Sequence, residues 1–423
     1  MVHDRLIVAT TSNSRELGKK VCKALDTKIK REFEKLGVTE RWQIPPWDVL
    51  KEKRYDRLVM LKADNRASFG SEEFRLWPVK RVDFNSTEFK IEIDKSVRGA
   101  NVFLIHQSFR PVTPPEKMLF NIMNIVSTGV NERAYQEIYD LLNRWHNERT
   151  VSENDMELFY TVSTLKRDAG ARKVIVFNPL LSNERQDHRR KREGITARDF
   201  LHLLNESGCD ELFVFDIHSI GTLAASVDMK IDNLYPTGDL VSEFKKRFPN
   251  YRERFVIIAP DAGAAKKCEH FAKQLDLPVY IASKVRDYDS VGVVDRVILP
   301  YPDHLLKDKH ALIIDDMVDT GGTLFKVMDA CKDKGIGKFV VMVTHFLGNY
   351  NKTKRFDPIE EFDKRYERGE LLAVMTTDTV PRHESFSKEH EWYNEISIAP
   401  RIAETIFSLH FNESVARVHL DEL

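Results

Sequence analysis

Short, continuously apolar, β-branched runs recur along this chain, and each is followed by an amphipathic stretch. The runs are Arg5–Ala9, Val102–His106, Lys173–Phe177, Glu211–Phe215, Phe255–Ala259, Val279–Ala282, Ala311–Ile314 and Phe339–Val343. A strand that is apolar on both faces must be covered on both. Strands alternating with helical segments are joined by crossovers, so the pattern predicts parallel sheets flanked by helices. Ala197–Asn205, Ala264–Gln274 and Leu324–Lys334 carry the helical period, and Gly335 stops the last of them. At 423 residues the chain exceeds one ordinary domain. The fold class read from this is α/β, with two doubly wound domains.

Two stretches break the rhythm. Lys28 to Lys80 is highly charged with scattered aromatics, and Thr113 to Asp155 is mostly helical in pattern. Both hold enough apolar residues to fold, and we read them as elaborations on the first domain. The formal net charge of −1 argues against a protein built to grip nucleic acid or an acidic membrane. The basic cluster His188–Arg192 is short, is followed at once by Glu193, and reads as a solvated loop. Cys22, Cys209, Cys268 and Cys331 form no C-x-x-C pair, so buried free thiols in a reducing compartment are expected. The apolar stretch Leu6–Ala9 is too short for a signal peptide and no run reaches membrane-spanning length, so the expectation is a soluble, cytoplasmic protein.

Most of the chemistry lies in Ala311-Leu-Ile-Ile-Asp-Asp-Met-Val-Asp-Thr-Gly-Gly-Thr323. A buried strand ends in Asp315 and Asp316 at its C-terminal tip, where open α/β sheets bind ligands. Asp319, Thr320, Gly321, Gly322 and Thr323 then open a helix. Two glycines let backbone N–H groups approach an anion, two hydroxyls add donors, and the helix start adds partial positive charge; the segment reads as a phosphate cradle. Carboxylates beside a phosphate make sense when they bind sugar hydroxyls, with a metal nearby to balance charge.

This element resembles the phosphoribosyl-diphosphate signature shared by phosphoribosyltransferases and ribose-phosphate diphosphokinases. Further segments, in order, resemble the diphosphokinases. Phe84-Asn-Ser-Thr-Glu88, Ile91-Glu-Ile and Ser96-Val-Arg-Gly99 look like the family's nucleotide loop and following strand. Met156-Glu-Leu through Ala171-Arg-Lys-Val leads to Arg185-Gln186-Asp187. Phe215-Asp-Ile-His-Ser219 resembles the metal-site strand, and Ile231-Asp-Asn-Leu234 the segment joining the domains. Ala259-Pro-Asp-Ala-Gly263 resembles a ribose-phosphate loop, Ser283-Lys-Val-Arg286 the start of the flexible catalytic loop, and Thr376–Pro381 a C-terminal match.

The resemblance implies two phosphoribosyltransferase-like domains, 1–235 and 236–423, with the active site between them. It implies transfer of the diphosphate of ATP to the C1 hydroxyl of ribose 5-phosphate. Phe84, Ser86, Glu88, Arg185 and Gln186 would hold ATP, Asp315, Asp316 and Asp319–Thr323 ribose 5-phosphate, and His218 and Asp261 Mg²⁺. Lys284 and Arg286 would stabilise the transferring group, and Asp287–Asp295 would close as a lid. A homo-oligomer built from dimers, up to a hexamer, is implied, with neither nucleic acid nor membrane as partner. The family's loop carries Asp-Gly-Glu where this chain has Ser86-Thr87-Glu88, so selectivity for adenine is expected to loosen. A phosphoribosyltransferase consuming the product and a non-catalytic regulatory relative are the rival readings.

Overall fold

The computed structural model describes residues 5–35, 74–109, 115–127, 129, 131–146, 149–189, 191–225, 228–287 and 294–415. The chain forms two compact units, one of residues 1–108, 155–239 and 396–423, the other of residues 109–154 and 240–395.

In the first unit β1 (Leu6–Thr10) is followed by the hairpin β2 (Val79–Asp83) and β3 (Phe89–Ile93), then by β4 (Asn101–Ile105), β5 (Lys173–Phe177), β6 (Glu211–Phe215) and β7 (Lys230–Leu234). Five of these make a parallel sheet in the order β1-β4-β5-β6-β7. Alternation along the strands sorts their side chains between two cores. Leu6, Val8, Phe103, Ile105 and Phe215 pack with the helices Arg15–Lys35 and Ala399–His410. Ile7, Ala9, Val102, Leu104 and Val214 pack with Val151–Ser163 and Thr196–Ser207.

The boundary expected at 235 therefore needs correcting. The last helix returns to the first unit because its apolar stripe, Ile402, Ala403, Ile406 and Phe407, shares a core with Leu17, Val21, Leu25 and Ile29. Lys28 adds a 2.7 Å ion pair to Glu404 and lies 5.2 Å from the centre of the Phe407 ring. Ile231–Leu234, read as a joining segment, lies in the edge strand β7. The helices Pro115–Ser127 and Glu132–His146 confirm the helical reading of 113–155, but residues 109–154 group with the second unit. Of the stretch 28–80, residues 28–35 finish the first long helix and 36–73 lie outside the described residues.

The second unit contains β8 (Phe255–Ala259), β9 (Val279–Ile281), β10 (Ser283–Asp287), β11 (Val294–Ile298), β12 (His310–Val318), β13 (Lys338–Phe346), β14 (Leu371–Thr377) and β15 (Tyr393–Ile396). Its main sheet runs β15-β14-β13-β12-β8-β9, and the pairs from β14 to β9 are parallel. From β8 the chain steps outward to β9, then returns past β8 to β12 and continues the other way. That reversal puts a topological switch point between β8 and β12. All four cysteines are free and buried, and burial pushes the thiols of Cys22, Cys268 and Cys331 up to about 12. Among the described residues no helix is long and apolar enough to cross a membrane.

Candidate active site

At the switch point β12 outruns its neighbour. Its pairing with β8 stops at Ile313, whereas pairing with β13 continues to Val318 and skips Asp316. Asp315 and Asp316 thus occupy strand backbone whose β8 side has opened. Asp315 Oδ1 accepts from the N–H of Asp316 at 3.0 Å, and Asp316 Oδ1 from that of Met317 at 2.6 Å. Burial first, and then the charge of Asp316, pushes the Asp315 carboxyl up to about 7. Lys267 opposes that shift and donates from Nζ to the Asp315 carbonyl at 2.9 Å. The sequence held no sign of Lys267: a lysine on an amphipathic helix reads as solvated.

Beyond the strand, Gly321 adopts φ 71°, a conformation L-residues rarely take, and a Cβ there would lie 2.4 Å from the Phe325 ring. Gly322 differs: a Cβ on it would meet nothing within 4 Å. It begins the helix Gly322–Lys332, whose first N–H groups lack intrahelical acceptors. One glycine therefore makes the turn and the other leaves open space at the start of the helix. Asp319 is held by Asn349, whose Nδ2 donates to Oδ1 at 2.8 Å and whose backbone N–H donates to the carbonyl at 2.9 Å. Asn349 lies in no recognisable motif, so sequence reasoning missed it. In the loop after β8, Asp261 Oδ1 accepts from Gly263 N at 3.0 Å and Ala264 N at 3.3 Å, shaping the start of the helix Ala265–Leu275.

In the first unit Phe84–Glu88 closes the β2–β3 hairpin, with Phe84 N donating to Glu88 O at 2.8 Å. Thr87 takes φ 71°, so the loop keeps a glycine-type backbone despite a β-branched residue. Ser86 Oγ donates to Glu88 at 2.7 Å, and Phe84 is 49% exposed. The arm is fastened from below. Arg81 stacks on Phe89 with its guanidinium 3.7 Å from the ring centre and meets Glu157 at 3.5 Å. Glu157, itself buried, accepts from the Ser12 N–H and hydroxyl, both at 2.6 Å.

At the C-terminal edge of the first sheet, Arg185 and Gln186 sit exposed in a turn. His218, also exposed, donates its backbone N–H to the buried Glu184 at 3.4 Å. A hydrogen bond from Ser219, and then one from His188, holds the Asp187 carboxyl below the usual range. The Arg185–Gln186 turn and the His218 turn are thus brought together, through two acids. His218 belongs to the first unit and Asp261 to the second. Among the described residues no three His, Cys, Asp or Glu side chains are grouped to hold a metal ion. Lys284 and Arg286 occupy alternate positions of β10, opposite Val297 and Asp295 in an antiparallel ribbon with β11. The expected lid is therefore ribbon at both ends, because backbone pairing satisfies Ser283–Asp287 and Val294–Ile298; residues 288–293 lie outside the described residues.

Parallel sheets, an acid-tipped strand and a glycine cradle at a switch point define a phosphoribosyltransferase-type α/β protein, and residues 239–367 match the phosphoribosyl transferase domain. Residues 6–208 match the N-terminal domain of ribose phosphate pyrophosphokinase. Ribose-phosphate pyrophosphokinase 1 of Candida albicans is 31% identical over 81% of this chain and 89% of its own length. The Campylobacter jejuni ribose-phosphate pyrophosphokinase is 27% identical over 80% of this chain and 88% of its own. A phosphoribosylpyrophosphate synthetase structure from Mycobacterium smegmatis shares the fold, with a TM-score of 0.63 and 21% identity over 97% of this chain and 100% of that one. The chain belongs to the ribose-phosphate pyrophosphokinase family.

Two substitutions separate the glycines. Gly322→Ala is expected to unfold like wild type in denaturant yet bind phosphate more than tenfold more weakly by calorimetry. Gly321→Ala is expected to lose about 2 kcal/mol of stability, from left-handed strain and the contact with Phe325. Equal stability of the two variants contradicts this division. A third test uses pH. Asp315 holds its proton more tightly folded than unfolded, so its effect on stability grows less favourable as pH rises from the ordinary carboxylate range to about 7. Asp315→Asn should raise the melting midpoint of the ligand-free protein more at pH 8 than at pH 5. A gain independent of pH contradicts a buried, repelled carboxylate.

Proposed function

We propose that this chain makes 5-phosphoribosyl 1-diphosphate from ribose 5-phosphate and ATP. The observation that carries the reading is the pairing of the acid-tipped phosphate cradle with a first unit that matches the N-terminal domain of ribose phosphate pyrophosphokinase. A phosphoribosyltransferase needs the cradle alone.

In this reading the ribose C1 oxygen attacks the β phosphorus of ATP. The new O–P bond forms as the bond from the β phosphorus to the oxygen bridging toward the α phosphate breaks, AMP leaves with that oxygen, and the hydroxyl proton is released. Asp319–Thr323 bind the 5-phosphate through backbone N–H groups and hydroxyls, while Asp315 and Asp316 orient the sugar hydroxyls. Lys267, bonded to the Asp315 carbonyl, keeps positive charge beside them. Phe84, Ser86 and Glu88 on the exposed hairpin, with Arg185 and Gln186, bind ATP; the Arg81–Glu157 contact sets the stance of the hairpin. Lys284 and Arg286 supply cations to the diphosphate as charge spreads over its oxygens.

Mg²⁺ fits the donor set. Asp261 is a hard oxygen ligand, and the lack of a protein-only cage among the described residues suits an ion completed by substrate phosphates and water. His218 and Asp261 would hold it, and when bound it neutralises phosphate charge. The exposed Phe84 at the hairpin tip supports a dimer-based homo-oligomer in which the tip reaches a neighbouring copy. Four buried free thiols suit a cytoplasmic setting.

Release of AMP that requires ribose 5-phosphate and no nucleobase is the expected assay result. A nucleobase requirement would identify a transferase, and no AMP release at all a non-catalytic relative. Lys284→Ala should lower kcat on the order of 10²–10³-fold while KM for both substrates stays within a few-fold. Turnover near wild type would remove Lys284 from the reaction.

A further inference from the structure

The sheet edge opposite the cradle carries a second concavity. Here β8, β12, β13 and β14 begin, and Phe255, His310, Lys338 and Leu372 line a cavity of about 300 Å³ whose other wall is the segment from Arg247 to Arg254. Arg247, Arg254, His310 and Lys338 all face this one space. Among the described residues, Arg254 and Lys338 have neither an ion pair nor a side-chain hydrogen bond. Arg247 bonds the neutral Asn394 at 2.8 Å and has no ion pair among the described residues. His310 Nδ1 is buried with no hydrogen-bond partner, and its ring stands edge-on to Phe255 at 5.3 Å. No carboxylate lines the cavity: Glu253, the one acid between 247 and 254, lies outside the lining, and Lys309 Nζ bonds its main-chain carbonyl at 2.8 Å.

Like charges gathered without a counter-charge repel one another, and an unpaired polar atom out of water costs free energy. The crowding of charge is felt at His310, whose imidazole is held below its ordinary range by burial and by the charges of Lys338 and Arg254, against an opposing contribution from the Lys309 main chain. An anion in the cavity removes both costs. Arginine forks and a lysine ammonium recognise phosphate oxygens, and the cavity has room for more than a free phosphate. Phe248 and Leu372 give it an apolar side against which the body of an organic phosphate can lie.

We propose that this groove is a second anion site, which binds a phosphate-bearing small molecule through Arg247, Arg254, His310 and Lys338. It lies outside the residues assigned to the reaction, so it can be occupied while substrate is bound.

Calorimetry on the full-length protein tests this, with inorganic phosphate and ADP as separate probes. Gly322→Ala is the background in which the cradle is silenced. In that background inorganic phosphate should still bind, and adding Arg254→Gln with Lys338→Gln should weaken it more than tenfold. Removing two lysines outside the groove, Lys364→Gln with Lys388→Gln, should change it less than twofold. In an otherwise wild-type chain, Arg254→Gln with Lys338→Gln should leave ribose 5-phosphate-dependent AMP release within twofold, which shows that the fold is intact. Tighter binding of ADP than of inorganic phosphate, lost with the same two groove substitutions, would identify a nucleotide as the ligand; equal binding would identify the phosphate group alone. Unchanged phosphate affinity in the groove variant, or an equal loss in the Lys364 and Lys388 control, overturns the proposal.

Discussion

Strand β12 loses its β8 neighbour at Ile313 and keeps β13 to Val318, and the site depends on that mismatch. Had both neighbours continued, Asp315 and Asp316 would lie between paired strands with no room for a ligand. Had both stopped, nothing would hold the two acids in register with the turn that follows. The one-sided overrun puts carboxylates at an opened edge and aims the chain into Asp319–Thr323. Asn349, from the loop after β13, then fastens Asp319 from the side that remains paired. The cost is visible in Asp315, which is pushed up to about 7 by burial and by its neighbour Asp316. A buried carboxylate held above its ordinary range by a like-charged neighbour marks this edge as a candidate functional site.

Much of this was legible in the sequence. The apolar runs became strands, because only a sheet covered on both faces accommodates continuous Val, Ile and Phe. Asp319–Thr323 read as a phosphate cradle because two adjacent acids, a third three residues on and a Thr-flanked Gly-Gly follow an apolar strand; in the structure Gly321 makes the turn and Gly322 leaves open space. What escaped was partner choice. The stripe on Ala399–His410 announces a buried face without saying which core receives it, and it is received by Arg15–Lys35 of the first unit. Lys267 and Asn349 escaped because a lone polar residue has no period, and its role depends on what another loop brings to it. The ribbon at the ends of the expected lid, where the backbone of Ser283–Asp287 pairs with that of Val294–Ile298, was not legible either.

The hairpin shows the same division between pattern and context. Thr87 occupies a left-handed backbone position that glycine takes without cost, so the loop shape is imposed by the strands around it. Those strands are anchored by Arg81 on Phe89 and by Glu157, which also bonds the turn after β1. A change at Glu157 would therefore disturb two elements, neither adjacent to it in sequence.

The most direct measurement is a crystal structure of the protein with ribose 5-phosphate bound. The 5-phosphate is expected on the backbone N–H groups of the Asp319–Thr323 turn, with Gly322 closest to it, and the sugar hydroxyls on Asp315 and Asp316. A phosphate seated elsewhere, with this turn empty and the two acids untouched, would contradict that placement.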